Sequence, residues 1–278
     1  MIDFLQALLS QGFLQNALLA ALLASFGCGV IGTYVVVKRI GYMTGGIAHA
    51  VLGGMGIAYF LGHAPLIGAT VAAILSALVI GWINLRWKQH EDIIISALWA
   101  IGMAVGILFI SRTPGYNVDL ISYLFGNILM VAHADLLLMA VLDVVVACLV
   151  VLFHKQFLAV CFDEEFARVR GVPVSAFYLL LLCIVAVTVV SLIQVVGLIL
   201  VIALFTLPAA TARQFVGSIT RMMLVACLLG AVFSVAGLAV SFHMNLPSGA
   251  TIVLFSGCAY FVSLATKALQ RSLKVTSS

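Results

Sequence analysis

His49 stands in a stretch of sequence that offers it no charged partner. The segment GYMTGGIAHAVLGGMG, residues 41–56, lies within a run of 46 residues, Ile40 to Leu85, that holds no Lys, Arg, Asp or Glu. A polar ring in an apolar run costs free energy unless something satisfies it. Two chemistries do so: a hydrogen bond to a neighbouring helix, or ligation of a transition-metal cation by the neutral imidazole nitrogen. Asp143 raises the same question from the middle of another apolar run, Leu136 to Phe153. A carboxylate in such a place is a candidate functional group, with a structural hydrogen bond as the competing account.

The elements that must carry these residues follow from composition. Of 278 residues, 65% are hydrophobic and 8% charged, whereas a soluble domain carries roughly 25% charged residues. The chain reads as an all-α integral membrane protein. A bilayer core about 30 Å thick needs roughly 20 apolar residues per helical crossing, so charge-free runs count the spans. The 34 uncharged residues between Asp3 and Lys38 hold one span from about Ala17 to Val37, preceded by an interfacial segment within residues 1–16. Ile40 to Leu85 holds two, broken at LGHAPL by Gly62 and Pro65. Single spans fit between Asp92 and Arg112 and over Leu136 to Phe153. Gly171 to Ala212 and Met222 to Thr266 are each twice the length of one crossing, with breaks near Val195 to Gly197 and at NLPSG. The result is a polytopic bundle of nine helices, with eight and a re-entrant segment as the alternative.

Charge gives an independent check, because Lys and Arg gather in short cytoplasmic loops. With nine spans, Lys38, Arg39, Arg86, Lys88, Lys155, Arg168, Arg170, Arg213, Arg221, Lys267, Arg271 and Lys274 share one face, and only Arg112 lies on the other. That parity puts the N-terminus outside and the C-terminus in the cytoplasm. The net charge of +4 reflects this bias and does not point to nucleic acid. Met1 to Asn16 lacks a signal-peptide pattern, and neither RWKQHED nor FDEEFARVRGVPV can bury a core of its own. The whole chain, 1–278, is expected to form a single transmembrane domain. The six cysteines are scattered and carry no pairing or metal pattern. No phosphate-loop, His-Glu-x-x-His or Gly-x-Ser-x-Gly signature occurs. A conduit fits better than an enzyme.

Glycines cluster inside the apolar runs, at 45, 46, 53, 54 and 56 and at 102 and 106. Small residues at such spacing let helix backbones approach closely; Gly45 and Gly46 could also loosen the start of their span. On the cytoplasmic side, TLPAATARQFVGSITRMM is expected to break at Pro208, continue as a short helical stretch through Arg213, and re-enter the membrane after Arg221. In FDEEFARVRG, Asp163, Glu164 and Glu165 precede Arg168 and Arg170 at helical spacing, which predicts a short surface helix with its own ion pairs.

Taken in order, VVVKRIGYMTGGIAHAVLGG, PGYNVDLISYLFGNIL, FDEEFARVRGVPV, VGLILVIALFTLPAATARQF and LPSGATIVL resemble the permease subunits of the zinc/manganese/iron family of ABC importers, over about Ala17 to Lys267. The resemblance implies a type II ABC importer permease fold and a homodimer in a bacterial plasma (inner) membrane. It also implies a separate ATP-hydrolysing subunit and an extracytoplasmic metal-binding protein that delivers the cation. No permanently bound cofactor is implied, since the metal is cargo.

The family usually shows Gly-Asp-x-x-Ser/Ala-His where this chain has Thr44, Gly45 and His49. The histidine is kept and the aspartate is absent, which leaves the ligand set open. Further ligands would have to come from elsewhere in the chain, and position makes Asp143, inside a span, and Asp119, His133, Asp135 and His243, near the outer face where a metal would enter, the candidates to join His49 along the metal path. The resemblance also implies that residues 208–221 form the segment that enters the ATPase, with Pro208, Arg213, Gln214, Ser218 and Arg221 as the contact candidates. Two other readings are kept at this point: an ion-coupled secondary transporter, which would show an internal repeat, and the permease class that carries haem, siderophores or cobalamin.

Overall fold

The computed structural model describes residues 2–87, 91–113, 126 and 128–276. Among them there is no strand, and nine helices are long and apolar enough to cross a bilayer. A short helix α1 (Ile2–Ser10) precedes α2 (Gly12–Lys38), α3 (Gly41–Phe60), α4 (Pro65–Arg86) and α5 (Glu91–Arg112). A 3-10 turn, Ile128–Met130, leads to α6 (His133–Leu152), followed by two short helices, α7 (His154–Phe162) and α8 (Glu164–Val169). The last four are α9 (Val174–Val196), α10 (Leu198–Phe215), α11 (Ile219–Met244) and α12 (Ser248–Thr276).

The breaks fall where backbone chemistry demands them. Pro65 opens α4 at its first turn, where a proline's missing N–H costs nothing. Asn245 closes α11 in the left-handed conformation, two residues before Pro247. Between α9 and α10 the chain passes through Gly197 at φ 80° and ψ 160°, a region reserved for glycine. Gly126 rests on this break so closely that a Cβ there would come within 2.3 Å of the Val196–Gly197 peptide.

Pro208 behaves differently from expectation. Helix α10 runs through it to Phe215, and the chain breaks only at Val216–Ser218, where Val216 and Ser218 are extended. One proline removes one backbone bond, and in a membrane helix packing can hold the turn together; Pro208 is buried, and α10 packs against α11 and α12. Residues 12–16 likewise form the first turns of α2, and α3 is continuous through Gly45 and Gly46.

The chain divides into two compact units. The first draws on residues 1–36, 124–141 and 195–278. Here Gly29 backs onto Cys227 and Gly32 onto the Phe205 carbonyl, approaches that leave no space for a Cβ. Ser25 and Ser234 meet at 3.3 Å, and Phe4 of α1 packs edge-on against Phe242 of α11 at 5.6 Å. The second unit draws on residues 37–123 and 142–194. Its centre is α3, held between α4 and α5 by glycine-on-glycine contacts: Gly53 and Gly56 face Gly102 and Gly106, and Gly54 faces Gly68. Such spacing replaces side-chain interdigitation by backbone contact, the usual route to close helix crossings in lipid. That packing fixes the helix that carries His49.

Candidate metal path and coupling segment

His49 sits at mid-length of α3, is 8% exposed, and lies flat against Trp99 of α5, with ring centroids 4.1 Å apart and planes inclined by 13°. Trp99 is itself steadied by its indole N–H, which donates to Met103 Sδ at 3.2 Å. The stack fixes the imidazole plane, so the ring nitrogens point along that plane and away from the indole face. Nδ1 is buried and has no hydrogen-bond partner among the described residues. An unsatisfied buried polar atom costs about 1–3 kcal/mol, and a native structure that keeps one calls for an explanation.

Gly45 lies one turn earlier, on the same face of α3. It is buried, yet a Cβ built there would meet nothing within 4 Å among the described residues. The face that His49 shares with Gly45 therefore has open space where a side chain would begin.

Asp143 is also buried, at 8% exposure, and its Oδ2 has no partner among the described residues. His133 is exposed at the start of α6, and the Asp135 carboxylate accepts from the Ala132 N–H at 3.3 Å, a role at the helix start. His243 is exposed near the end of α11. Asp119 lies outside the described residues. Among the described residues no three His, Cys, Asp or Glu side chains gather into a cation site. Cys161 on α7 is a poor ligand at neutral pH, because burial pushes its thiol up to about 12 against the pull of the nearby Lys38 ammonium.

The second constellation lies where α10 ends and α11 begins. Arg213 donates to the Val36 carbonyl at 3.2 Å, and Gln214 donates to Ser263 Oγ at 3.0 Å. Lys267 of α12 donates to the Gln214 carbonyl, placing a cation at the negative end of α10. Arg213, Gln214 and Lys267 line a cavity of about 480 Å³. Ser218 precedes α11, and Arg221 projects, exposed, from its first turn. The candidates at 208–221 thus form the end of one helix, a three-residue link and the start of the next. Trp99 and Lys267 were missed as site residues from sequence. A tryptophan in an apolar run reads as packing, and a terminal lysine reads as part of the basic rim.

A polytopic bundle with glycine-packed spans, an unsatisfied buried histidine and a helix–link–helix bearing Arg213 and Arg221 suits a membrane permease. The family model for the ABC 3 transport family matches residues 10–267, and the chain belongs to that family. It is 44% identical to a protein of Chlamydia pneumoniae named as a probable metal transport system membrane protein, over 90% of this chain and 87% of the other. It is 35% identical to the manganese transport system membrane protein MntC of Halalkalibacterium halodurans, over 92% of this chain and 88% of that one. Among solved structures it matches PsaBC from Streptococcus pneumoniae in complex with Fab, with a TM-score of 0.88 and 32% identity over 99% of this chain and 100% of that chain. Membership decides for the ABC class over an ion-coupled secondary transporter.

Proposed function

We propose that this chain is the membrane-spanning subunit of an ATP-driven importer for divalent transition-metal cations, zinc, manganese or ferrous iron, working by alternating access. The observation that carries the reading is the His49 imidazole, held flat by Trp99 with Nδ1 buried and unsatisfied beside open space at Gly45. A cation passing along α3 would satisfy that nitrogen transiently. A sparse set of donors suits a path better than a closed cage, since conduction requires that the ion also leave. His49 and Asp143 are the candidate ligands within the spans, and Asp119, His133, Asp135 and His243 are candidates nearer the outer mouth. The metals in the relatives' names support simple cations over haem or siderophore chelates.

The same reading supplies the partners. Two copies of the permease form the pathway, an extracytoplasmic metal-binding protein delivers the ion, and a separate ATPase subunit engages residues 208–221. The chain is one transmembrane domain of a bacterial plasma membrane, with the short helix α1 at the outer interface and the C-terminus in the cytoplasm. The test is ATP turnover by the assembled complex in liposomes. Turnover should rise when zinc, manganese or ferrous iron is supplied together with the binding protein; equal turnover with and without cation contradicts the reading.

A further inference from the structure

We infer that the second unit carries a binding site for the phosphate of an anionic phospholipid, at the end where α2, α3 and α4 meet the basic face. A cavity of about 300 Å³ opens there, lined among others by Lys38, Arg39, Arg168, Glu164, Tyr42 and Asn84. Its size is at the lower end of ordinary small-molecule sites. Among the described lining residues, three cations face a single carboxylate. Glu164 takes the Lys38 ammonium at 2.5 Å and lies 3.9 Å from Arg168. An excess of two positive charges is left on the lining.

Arg39 is the most telling of these residues. It occupies the turn after α2 at φ 62°, the left-handed position that closes a helix and that glycine fills at least strain. An arginine there tolerates backbone strain at the lining of the cavity, and strain of that kind collects at functional positions.

The depth of the cavity identifies the ligand. Trp82 and Trp87 are 52% and 58% exposed, pack edge-on at 5.7 Å, and stand within one turn of the lining Asn84 and Leu85. Tyr42, on the lining itself, is 42% exposed. Exposed tryptophan and tyrosine at helix ends mark the headgroup layer. From the cavity, the exposed apolar face of α4 runs on through Val79, Leu78 and Leu75, a track for the acyl chain of a lipid whose phosphate lies among the cations. Basic pockets between spans at this level take anionic headgroups.

The experiment uses the full-length permease in nanodiscs of phosphatidylcholine with a minor fraction of phosphatidylglycerol, and reads tryptophan fluorescence quenched by a brominated version of either lipid. Brominated phosphatidylglycerol should quench in preference to brominated phosphatidylcholine. The preference should fall about five-fold for each charge removed in Arg39→Gly and in Arg168→Gln, and should survive in Arg39→Lys. Arg39→Gly relieves the left-handed strain, so loss of the preference in that variant cannot be put down to misfolding. Equal quenching by the two lipids in the unaltered protein, or an undiminished preference in Arg39→Gly and Arg168→Gln, overturns the proposal. Removal of the preference by excess inorganic phosphate would also overturn it, by making the ligand a free anion.

Discussion

The imidazole of His49 and the indole of Trp99 lie nearly parallel at 4.1 Å, one ring from each of two helices whose backbones touch through Gly53 and Gly102. The glycine contact sets the distance between α3 and α5, and the ring contact sets the plane of the histidine. Aromatic pairs contribute about 0.5–1.5 kcal/mol beyond their burial. Replacing Trp99 with Leu should therefore weaken the hold on the cation about two- to ten-fold and raise the KM for transport. Trp99→Phe, which keeps a flat face, should restore most of it. Equal KM values for the Leu and Phe variants would show that the stack does not orient the imidazole.

Gly53 offers a test of the frame rather than of the site. A Cβ at this position would stand 2.9 Å from the Gly102 carbonyl oxygen, so Gly53→Val forces α3 and α5 apart. Overpacking of this kind costs typically 1–3 kcal/mol. Thermal unfolding in detergent should shift downward in this variant, whereas Gly45→Ala, inside α3 with open space around it, should unfold at or slightly above the temperature of the unaltered protein.

Gly45 also bears on metal choice. A carboxylate there would lie one turn before His49 on the same face and add a hard oxygen to a nitrogen donor. Gly45→Asp should shift transport preference toward manganese over zinc, read as the ratio of the two uptake rates in competition. An unchanged ratio would place the path away from this face of α3.

For coupling, Arg213→Glu with Arg221→Glu should weaken association with the ATPase subunit while leaving membrane insertion intact, because most of the basic bias remains. Co-purification and ATP turnover read the outcome. Arg213 also donates to the Val36 carbonyl, so Arg221→Glu alone is the cleaner variant, its side chain being exposed. Full association in both would remove residues 208–221 from the docking surface.

The helical plan was largely legible because membrane spans announce themselves through charge-free length, and their ends through glycine and proline. Gly62 with Pro65, Gly197, and the Asn245–Pro247 turn all mark breaks that the structure places there. Pro208 misled for a physical reason: local chemistry says break, while burial against α11 and α12 says continue, and at membrane depth the packing prevailed. The short helix after Asp163 formed as the charge spacing predicts, with Asp163 accepting from the Phe166 N–H, but its strongest ion pair reaches back to Lys38, a contact distant in sequence. The candidate site was legible only in part. His49 stood out through its setting, whereas nothing in the sequence marks Trp99 as its neighbour, since pairing between helices depends on which glycine faces which.

The central claim is that the cation passes His49, and cation uptake by the whole complex in liposomes tests it most directly. Zinc, manganese and ferrous iron are offered in turn, with ATP inside and the binding protein outside, to complexes carrying His49, His49→Ala or His49→Gln. The account predicts ATP-dependent uptake with His49, strong loss in both variants, and dimer assembly and basal ATP hydrolysis preserved, because Ala removes the ligand and its stack on Trp99 but leaves the glycine contacts that hold α3 against α5, and the Gln amide is a poor donor to these metals. Full uptake in His49→Gln would make the histidine a hydrogen-bonded structural residue, and full uptake in both variants would contradict the account.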